Sequence, residues 1–469
     1  MQKENLDCDY LIIGSGAVGM AFADTLLAET DTNIIIVDKH SKPGGHWNDA
    51  YPFVTLHQPS AFYGVNSRQL GDGRKDKSGL NKGLYGLATG QEILDYYSTV
   101  MHEQFLPSGR VQYFPDCEYL GNGYIRSLHG EQDYQVTINK KTVDGTYFQT
   151  SVPSTHTPKF DVDPDVPFTP INALPKLVND YSDFVVIGAG KTGMDAIVWL
   201  LQNKISPDNI RWVMPRDSWL INRETTQPGM EFFKQAIGSQ ADQMQALAEA
   251  ESIEDLFVRL ERSRALLRID KSIQPKMFHG ATTSPLELTE LQKIKNIIRL
   301  GRVTRIEKDQ IVLEQGSVAS NLKTLHIDCS ASAVPPREIL PVFQDDLITV
   351  QTIRTVQPVF SAAFIAHIEA TYTSDEEKNK ICSVVPLPNH YTDWIKVTSA
   401  NMKNQYIWSK HPGIREWLIA HRLDGFMRMV QSVKKYNIPK MLVLKRLRDN
   451  AKPAVAKMQK FLHELESQT

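Results

Sequence analysis

Three glycines, Gly14, Gly16 and Gly19, follow a short apolar run and open a stretch of helical spacing; the pattern returns at Gly188, Gly190 and Gly193. In a G-x-G-x-x-G turn the first glycine makes the tight bend, the second lets a pyrophosphate approach the backbone, and the third lets helix and strand pack closely. The pyrophosphate then rests on the positive end of the helix. The first turn offers Gly14, Gly16, Ala17, Val18 and Gly19 to a dinucleotide, and the second offers Gly188, Gly190, Lys191, Thr192 and Gly193. Nineteen residues beyond Gly19, at the end of the next strand-like run, stands Asp38, whose carboxylate suits ribose hydroxyls. At the matching place after the second turn stands Arg216, followed by Ser218 and Arg223. A cation there suits a 2'-phosphate and favours NADPH over NADH, with Arg216 the principal partner and Arg223 a secondary one. Although Gly190-Lys191-Thr192 has the letters of a phosphate loop, a Walker loop needs a glycine where this chain has Val185.

The residues after Asp38 point to the nature of the first nucleotide. They run Lys39-His-Ser-Lys-Pro43-Gly44-Gly45-His46-Trp47. This stretch resembles the G-G-x-W segment of class B flavoprotein monooxygenases: the flavin-containing monooxygenases, the Baeyer–Villiger enzymes and the N-hydroxylating enzymes. The resemblance implies FAD at the first site, with Lys39, Gly44, Gly45, His46 and Trp47 as contacts; a core role is the alternative for Trp47. Residues 55–63 stand where that family carries an Asn-containing stretch near the reactive flavin edge. Gln58 falls near the position of the amide, and His57 beside it is a candidate proton donor, although a lone histidine also serves structure. Gly190-x-Thr192-Gly193-Met-Asp195 is similar to the family's G-x-S-G-x-D form at its NADPH site. Residues 216–223 resemble its R-x-G-S-W-x-x-x-R stretch without the glycine.

Taken together, the resemblance implies an FAD-dependent, NADPH-driven monooxygenase that inserts one oxygen atom into a small organic substrate through a C4a-(hydro)peroxyflavin. Its partners would be that substrate and molecular oxygen. Two alternatives use the same nucleotide sites: an NAD(P)H-dependent flavoprotein reductase or dehydrogenase with an organic acceptor, and a non-catalytic redox-sensing module. The chain departs from the family in two places. Its linker, residues 168–177, lacks the F-x-G-x-x-x-H signature, and the usual A-T-G-type segment stands as Asp328-Cys-Ser-Ala331. Arg354, in residues 348–358, is a weak candidate for an anionic substrate, with a structural ion pair as the alternative.

These residues need an α/β frame. The expected fold is two Rossmann-like dinucleotide-binding domains, each with a parallel sheet, plus a helical C-terminal region. The expected boundaries are 1–160 with 322–397 for the FAD domain, 176–321 for the NAD(P)H domain with a helical insertion near 240–268, and 398–469 for the C-terminal helices. Residues 112–151 read as short strands of an antiparallel layer, residues 153–175 as a Pro-rich linker, 302–314 as a hairpin, and 326–330 as the strand returning to the first domain. The inserted helices are candidates for a lid, and the C-terminal helices for closing the pocket or forming a homodimer.

A chain of 469 residues can bury two or three cores. With 23% charged residues and a net charge of -2, it offers no electrostatic reason for nucleic acid. Four scattered cysteines, Cys8, Cys117, Cys329 and Cys382, suggest neither a disulfide framework nor a metal site and fit a reducing cytoplasm. Neither a signal peptide nor a transmembrane run is legible. The basic stretch 436–448, with Lys440, Lys445, Arg446 and Arg448, is compatible with an anionic surface but reads first as a solvated helix face.

Overall fold

The computed structural model describes residues 3–130, 132–332, 334–335 and 337–467. Each glycine turn sits at the head of a strand–helix–strand unit. In the first, the strand Lys3–Ile13 feeds the helix Ala17–Glu29, and the strand Ile34–Val37 returns parallel beside it, Tyr10 opposite Ile34 and Ile13 opposite Val37. In the second, Asp183–Ile187, Lys191–Gln202 and Ile210–Val213 repeat the arrangement. All four strand residues Ile34 to Val37 are buried, as the centre of a parallel sheet covered on both faces requires.

The first sheet runs in the order 343–344, 347–349, 133–144, 3–13, 34–37, 111–114. The expected antiparallel layer is only partly separate. Strands Cys117–Tyr119 and Tyr124–Ser127 do form an antiparallel ribbon, but Val111–Phe114 and the twelve-residue Asp133–Asp144 belong to the main sheet. The second sheet is wholly parallel, in the order 297–298, 210–213, 183–187, 324–328, 168–170. This corrects two expectations. Thr324–Asp328 lies inside the second sheet, so the chain returns to the first only at 343–349, and the Pro-rich linker supplies an edge strand, Phe168–Pro170. The hairpin is present as Val303–Ile306 with Gln310–Leu313.

The helix Pro358–Thr371 is buried continuously from Val359 to Ala366 and packs along Ala17–Glu29, sandwiching that helix against the first sheet. A buried staple then ties the C-terminal region to the loop after the first site. Arg422 donates to the carbonyl oxygens of Ala61 at 2.6 Å and Tyr63 at 2.9 Å, and also to that of Val65. Inserted helices Phe233–Glu249 and Ile253–Arg262 pack against the long terminal helix Ile438–Glu466 through Leu247, Leu256, Phe257, Met458 and Phe461.

The third glycine of each motif carries the tightest constraint. A methyl carbon on Gly19 would stand 1.9 Å from the Gly14 carbonyl oxygen, and one on Gly193 would stand 2.2 Å from that of Gly188. Gly190 differs: its backbone is extended, and no heavy atom lies within 4 Å of where its Cβ would be. Gly193→Ala is therefore expected to lower stability by about 1–3 kcal/mol, as overpacking does. Gly190→Ala should leave the urea midpoint unchanged while abolishing nucleotide binding at the second site. Equilibrium unfolding of both variants, with nucleotide titration of the second, checks the contrast.

Candidate functional site

Both glycine-loop helices begin with a glycine that offers no side-chain cap, Gly16 and Gly190, so the amides of their first turns are free for an anionic ligand. Each turn is buttressed by the strand on its far side. After Asp133–Asp144, the Asp144 carboxylate accepts from Thr146 N at 2.8 Å and Thr146 Oγ1 at 2.7 Å, and this turn packs on Gly14. After Thr324–Asp328, Asp328 accepts from Ser330 N at 2.9 Å and Ser330 Oγ at 2.6 Å, with Cys329 against Gly188. The Asp328-Cys-Ser-Ala331 segment thus belongs to the second turn and not to the flavin site. The paired D-x-[S/T] signal was present in the sequence and went unread.

At the first site, Gly44 N donates to Ser15 O at 2.9 Å, drawing the Gly44–Gly45 backbone onto Gly16. Asp38 is buried and already accepts four hydrogen bonds: from Ser15 N at 2.5 Å, Ser15 Oγ at 2.9 Å, His40 N at 2.8 Å and His40 Nδ1 at 2.9 Å. Burial alone would raise its pKa, but the bonds from His40 and Ser15 outweigh it and hold the carboxyl below its ordinary value. His40, bonded to Asp38 and against burial's pull, is raised to about 9; its Nε2 also reaches Asp49 at 2.9 Å. His40 was not singled out in the sequence, where a histidine two residues past the acid carries no pattern. Lys39 points away and pairs with Glu118 at 2.8 Å on the surface. Trp47 is buried and donates to Tyr63 OH at 2.8 Å, the core role given as its alternative. His46 tilts against Trp47 and is desolvated down to about 4.

Between the two turns the units meet in a polar floor. Tyr51 OH donates to Asp195 Oδ2 at 2.6 Å, and Lys191 pairs with the other oxygen of the same carboxylate. Arg223 is fully buried: its Nε donates to His57 O at 2.8 Å, its Nη1 to Asn81 Oδ1 at 3.2 Å, and its Nη2 pairs with Glu287 at 2.7 Å. An arginine fully buried and paired with a carboxylate is not open to a ligand phosphate, which corrects its reading as a phosphate partner. Ser218 is likewise spent on backbone, donating to Trp219 O at 3.0 Å. Arg354 pairs with buried Asp424 and lies 3.7 Å from the Phe360 ring centre, so it is the structural ion pair and not a substrate anchor.

His57 and Gln58 stand on the loop that Arg223 and Arg422 hold from either side. Neither makes a side-chain hydrogen bond with another described residue. Desolvation, together with the nearby charges of Lys191 and Arg223, holds His57 well below its ordinary value, so the imidazole is neutral at physiological pH.

Arg216 lies just past the end of Ile210–Val213, half-exposed, donating to Asn389 Oδ1 at 2.9 Å. Desolvation and the neighbouring Arg302 both lower its pKa. Neither guanidinium has a carboxylate partner among the described residues. Arg302 went unread because the strand before it, Ile297–Ile298, is only two residues long and gives no periodic signal.

Uncapped helix starts, a ribose-type carboxylate at one site and two uncompensated arginines at the other fit FAD at the first turn and NADPH at the second. Fold and donor sets together define a two-unit Rossmann-like dinucleotide-binding protein, and residues 12–63 match the family described as NAD(P)-binding Rossmann-like domain. The chain belongs to the family of protein Rv2000 of Mycobacterium tuberculosis (strain ATCC 25618 / H37Rv), itself uncharacterized, with which it is 47% identical over 421 residues, 90% of this chain and 78% of the relative. Similar solved structures include the polycyclic ketone monooxygenase of Thermothelomyces thermophila, at 11% identity and TM-score 0.49 over 96% of this chain and 89% of that one. An open crystal structure of cyclohexanone monooxygenase gives 14% identity and TM-score 0.48 over 96% and 99%. No helix of the described residues is long and apolar enough to cross a membrane.

The His40 bridge has a measurable consequence. Its folded pKa lies above the ordinary 6.5, so its stabilisation is complete below pH 6.5 and is lost as pH rises through about 9. The melting temperature of ligand-free protein should fall across that window, and the fall should shrink in His40→Gln; thermal scans at pH 6, 7.5 and 9.5 test this.

Proposed function

We propose that the chain is an FAD-dependent, NADPH-driven monooxygenase acting on a small organic substrate. The observation that carries the reading is the pair His57 and Gln58: two polar side chains with no hydrogen-bond partner among the described residues, on a braced loop between two uncapped dinucleotide turns. When bound, FAD would supply hydride acceptance from NADPH and activation of molecular oxygen. The first turn would hold the FAD pyrophosphate on the amides of Ala17 and Val18, with Asp38 turned toward ribose and the Gly44–Gly45 backbone alongside. The second would hold the NADPH pyrophosphate on the amides that follow Gly190, with Lys191 and Thr192 beside it, and the 2'-phosphate between Arg216 and Arg302.

His57, neutral, would offer the N–H of one ring nitrogen as a hydrogen-bond donor to the reacting oxygen, and Gln58 would donate from its amide without altering the charge of the site. Tyr51, held protonated by burial beside Asp195, would keep the floor free of a phenolate. The partly buried floor would exclude water from the reacting atoms. A cytoplasmic setting suits four thiols that are all buried and unpaired.

Two measurements test the reading. Arg216→Ala should weaken NADPH about 10- to 100-fold while leaving NADH unchanged, as expected when a charge-assisted phosphate contact is lost. His57→Ala should lower kcat for oxygenated product about 100-fold and divert NADPH oxidation to hydrogen peroxide, with flavin reduction by NADPH unaltered. Steady NADPH turnover with a quinone or dye acceptor, yielding no oxygenated product from ketones, amines or thioethers, would replace this reading with the reductase.

A further inference from the structure

The terminal helix Ile438–Glu466 has two faces. One side, with Val443, Leu444, Leu447, Ala454, Met458 and Phe461, packs on the inserted helices. On the opposite side Ile438, Met441, Leu442, Lys445, Arg448 and Lys452 follow one another at the three- and four-residue steps that share a helix face. Just before the helix, Tyr436 is 83% exposed; Ile438 is 60% and Leu442 59% exposed, so three large apolar side chains stand in water within seven residues. Charge surrounds them. Between residues 434 and 460 there are nine lysines and arginines against one carboxylate, Asp449, in a chain whose net charge is -2. Lys445 and Arg448 share Asp449, whereas Lys434, Lys435 and Lys452 have no carboxylate partner among the described residues.

A solvated face needs the cations but not Tyr436, Ile438, Met441 and Leu442, and a nucleic-acid backbone has no use for them either. We infer that this end of the terminal helix is a peripheral docking surface for an anionic lipid bilayer, with the apolar residues entering the headgroup boundary and the cations meeting lipid phosphates. Apolar burial joined to attraction for anionic lipid is what binds an interfacial helix. The surface is carried by the terminal and inserted helices, and its test does not depend on the chemistry proposed for the nucleotide sites.

Sedimentation of the full-length protein with vesicles of 70% phosphatidylcholine and 30% phosphatidylglycerol, and with phosphatidylcholine alone, tests the inference. Binding is expected only to the anionic vesicles and should weaken at least tenfold between 50 and 500 mM NaCl. Each cation near the surface is worth about fivefold in partitioning, so Lys434→Ala with Lys435→Ala should reduce it about 25-fold. Met441→Ser with Leu442→Ser should reduce it about tenfold or more. All four residues are exposed, so the melting temperature should not change. Absence of binding, equal binding to both vesicles, or binding untouched by both double variants would overturn the inference. So would a stable dimer in sedimentation equilibrium that Leu442→Glu converts to monomer, since the patch would then be covered by a second copy.

Discussion

Two carbonyl oxygens set the geometry of this molecule. Gly14 O and Gly188 O each lie where a side chain on the third glycine of the motif would have to be, so helix and strand meet with no atoms between them. From that contact the rest follows. The helix start is held at the strand's end, its free amides face outward, and its dipole is aimed at whatever lies over the turn. Elements far away in sequence serve the same contact. Pro358–Thr371 presses the first helix onto its sheet, and Asp144 and Asp328 shape the neighbouring turns that close over Gly14 and Gly188.

The two units do not use their acceptors alike. In the first, the carboxylate at the end of the second strand is buried and accepts four hydrogen bonds from Ser15 and His40. His40 in turn bridges Asp38 to Asp49, so the two carboxylates share one imidazole. In the second unit the matching position holds Arg216 beside Arg302, two like charges that repel each other. One unit gathers attraction at this position, the other repulsion.

Much of this was legible in the sequence where a local rule acted. Gly14 and Gly19, with Gly188 and Gly193, are read from spacing because a positive-φ turn or a close backbone contact leaves no room for a side chain there. Sheet membership was less legible. Thr324–Asp328 was assigned to the first sheet and lies in the second, since a parallel strand's partner is set by a crossover that leaves no local mark. The phosphate role expected of Arg223 fails for a related reason, and the same ambiguity leaves Arg354 open between a substrate anchor and the ion pair it forms. An arginine looks alike in sequence whether it awaits a phosphate or is enclosed by Glu287 or Asp424, and only the fold brings those carboxylates beside it.

The polar floor between the units distributes its charge unevenly. Lys191, Asp195, Arg223 and Glu287 all come from the second unit and pair among themselves, while the first contributes uncharged groups: Tyr51 OH, His57 O and Asn81 Oδ1. A charged pair that does cross, Lys75 with Glu231, sits at the rim, about half exposed. If the units part, each ion at the floor keeps its counter-ion, and what is handed to water is a set of charge-assisted hydrogen bonds to neutral partners, each worth about 1.5–3 kcal/mol. The seam is therefore held by bonds from the ions of one unit to neutral groups of the other, so that no floor charge depends on the neighbouring unit for its counter-ion.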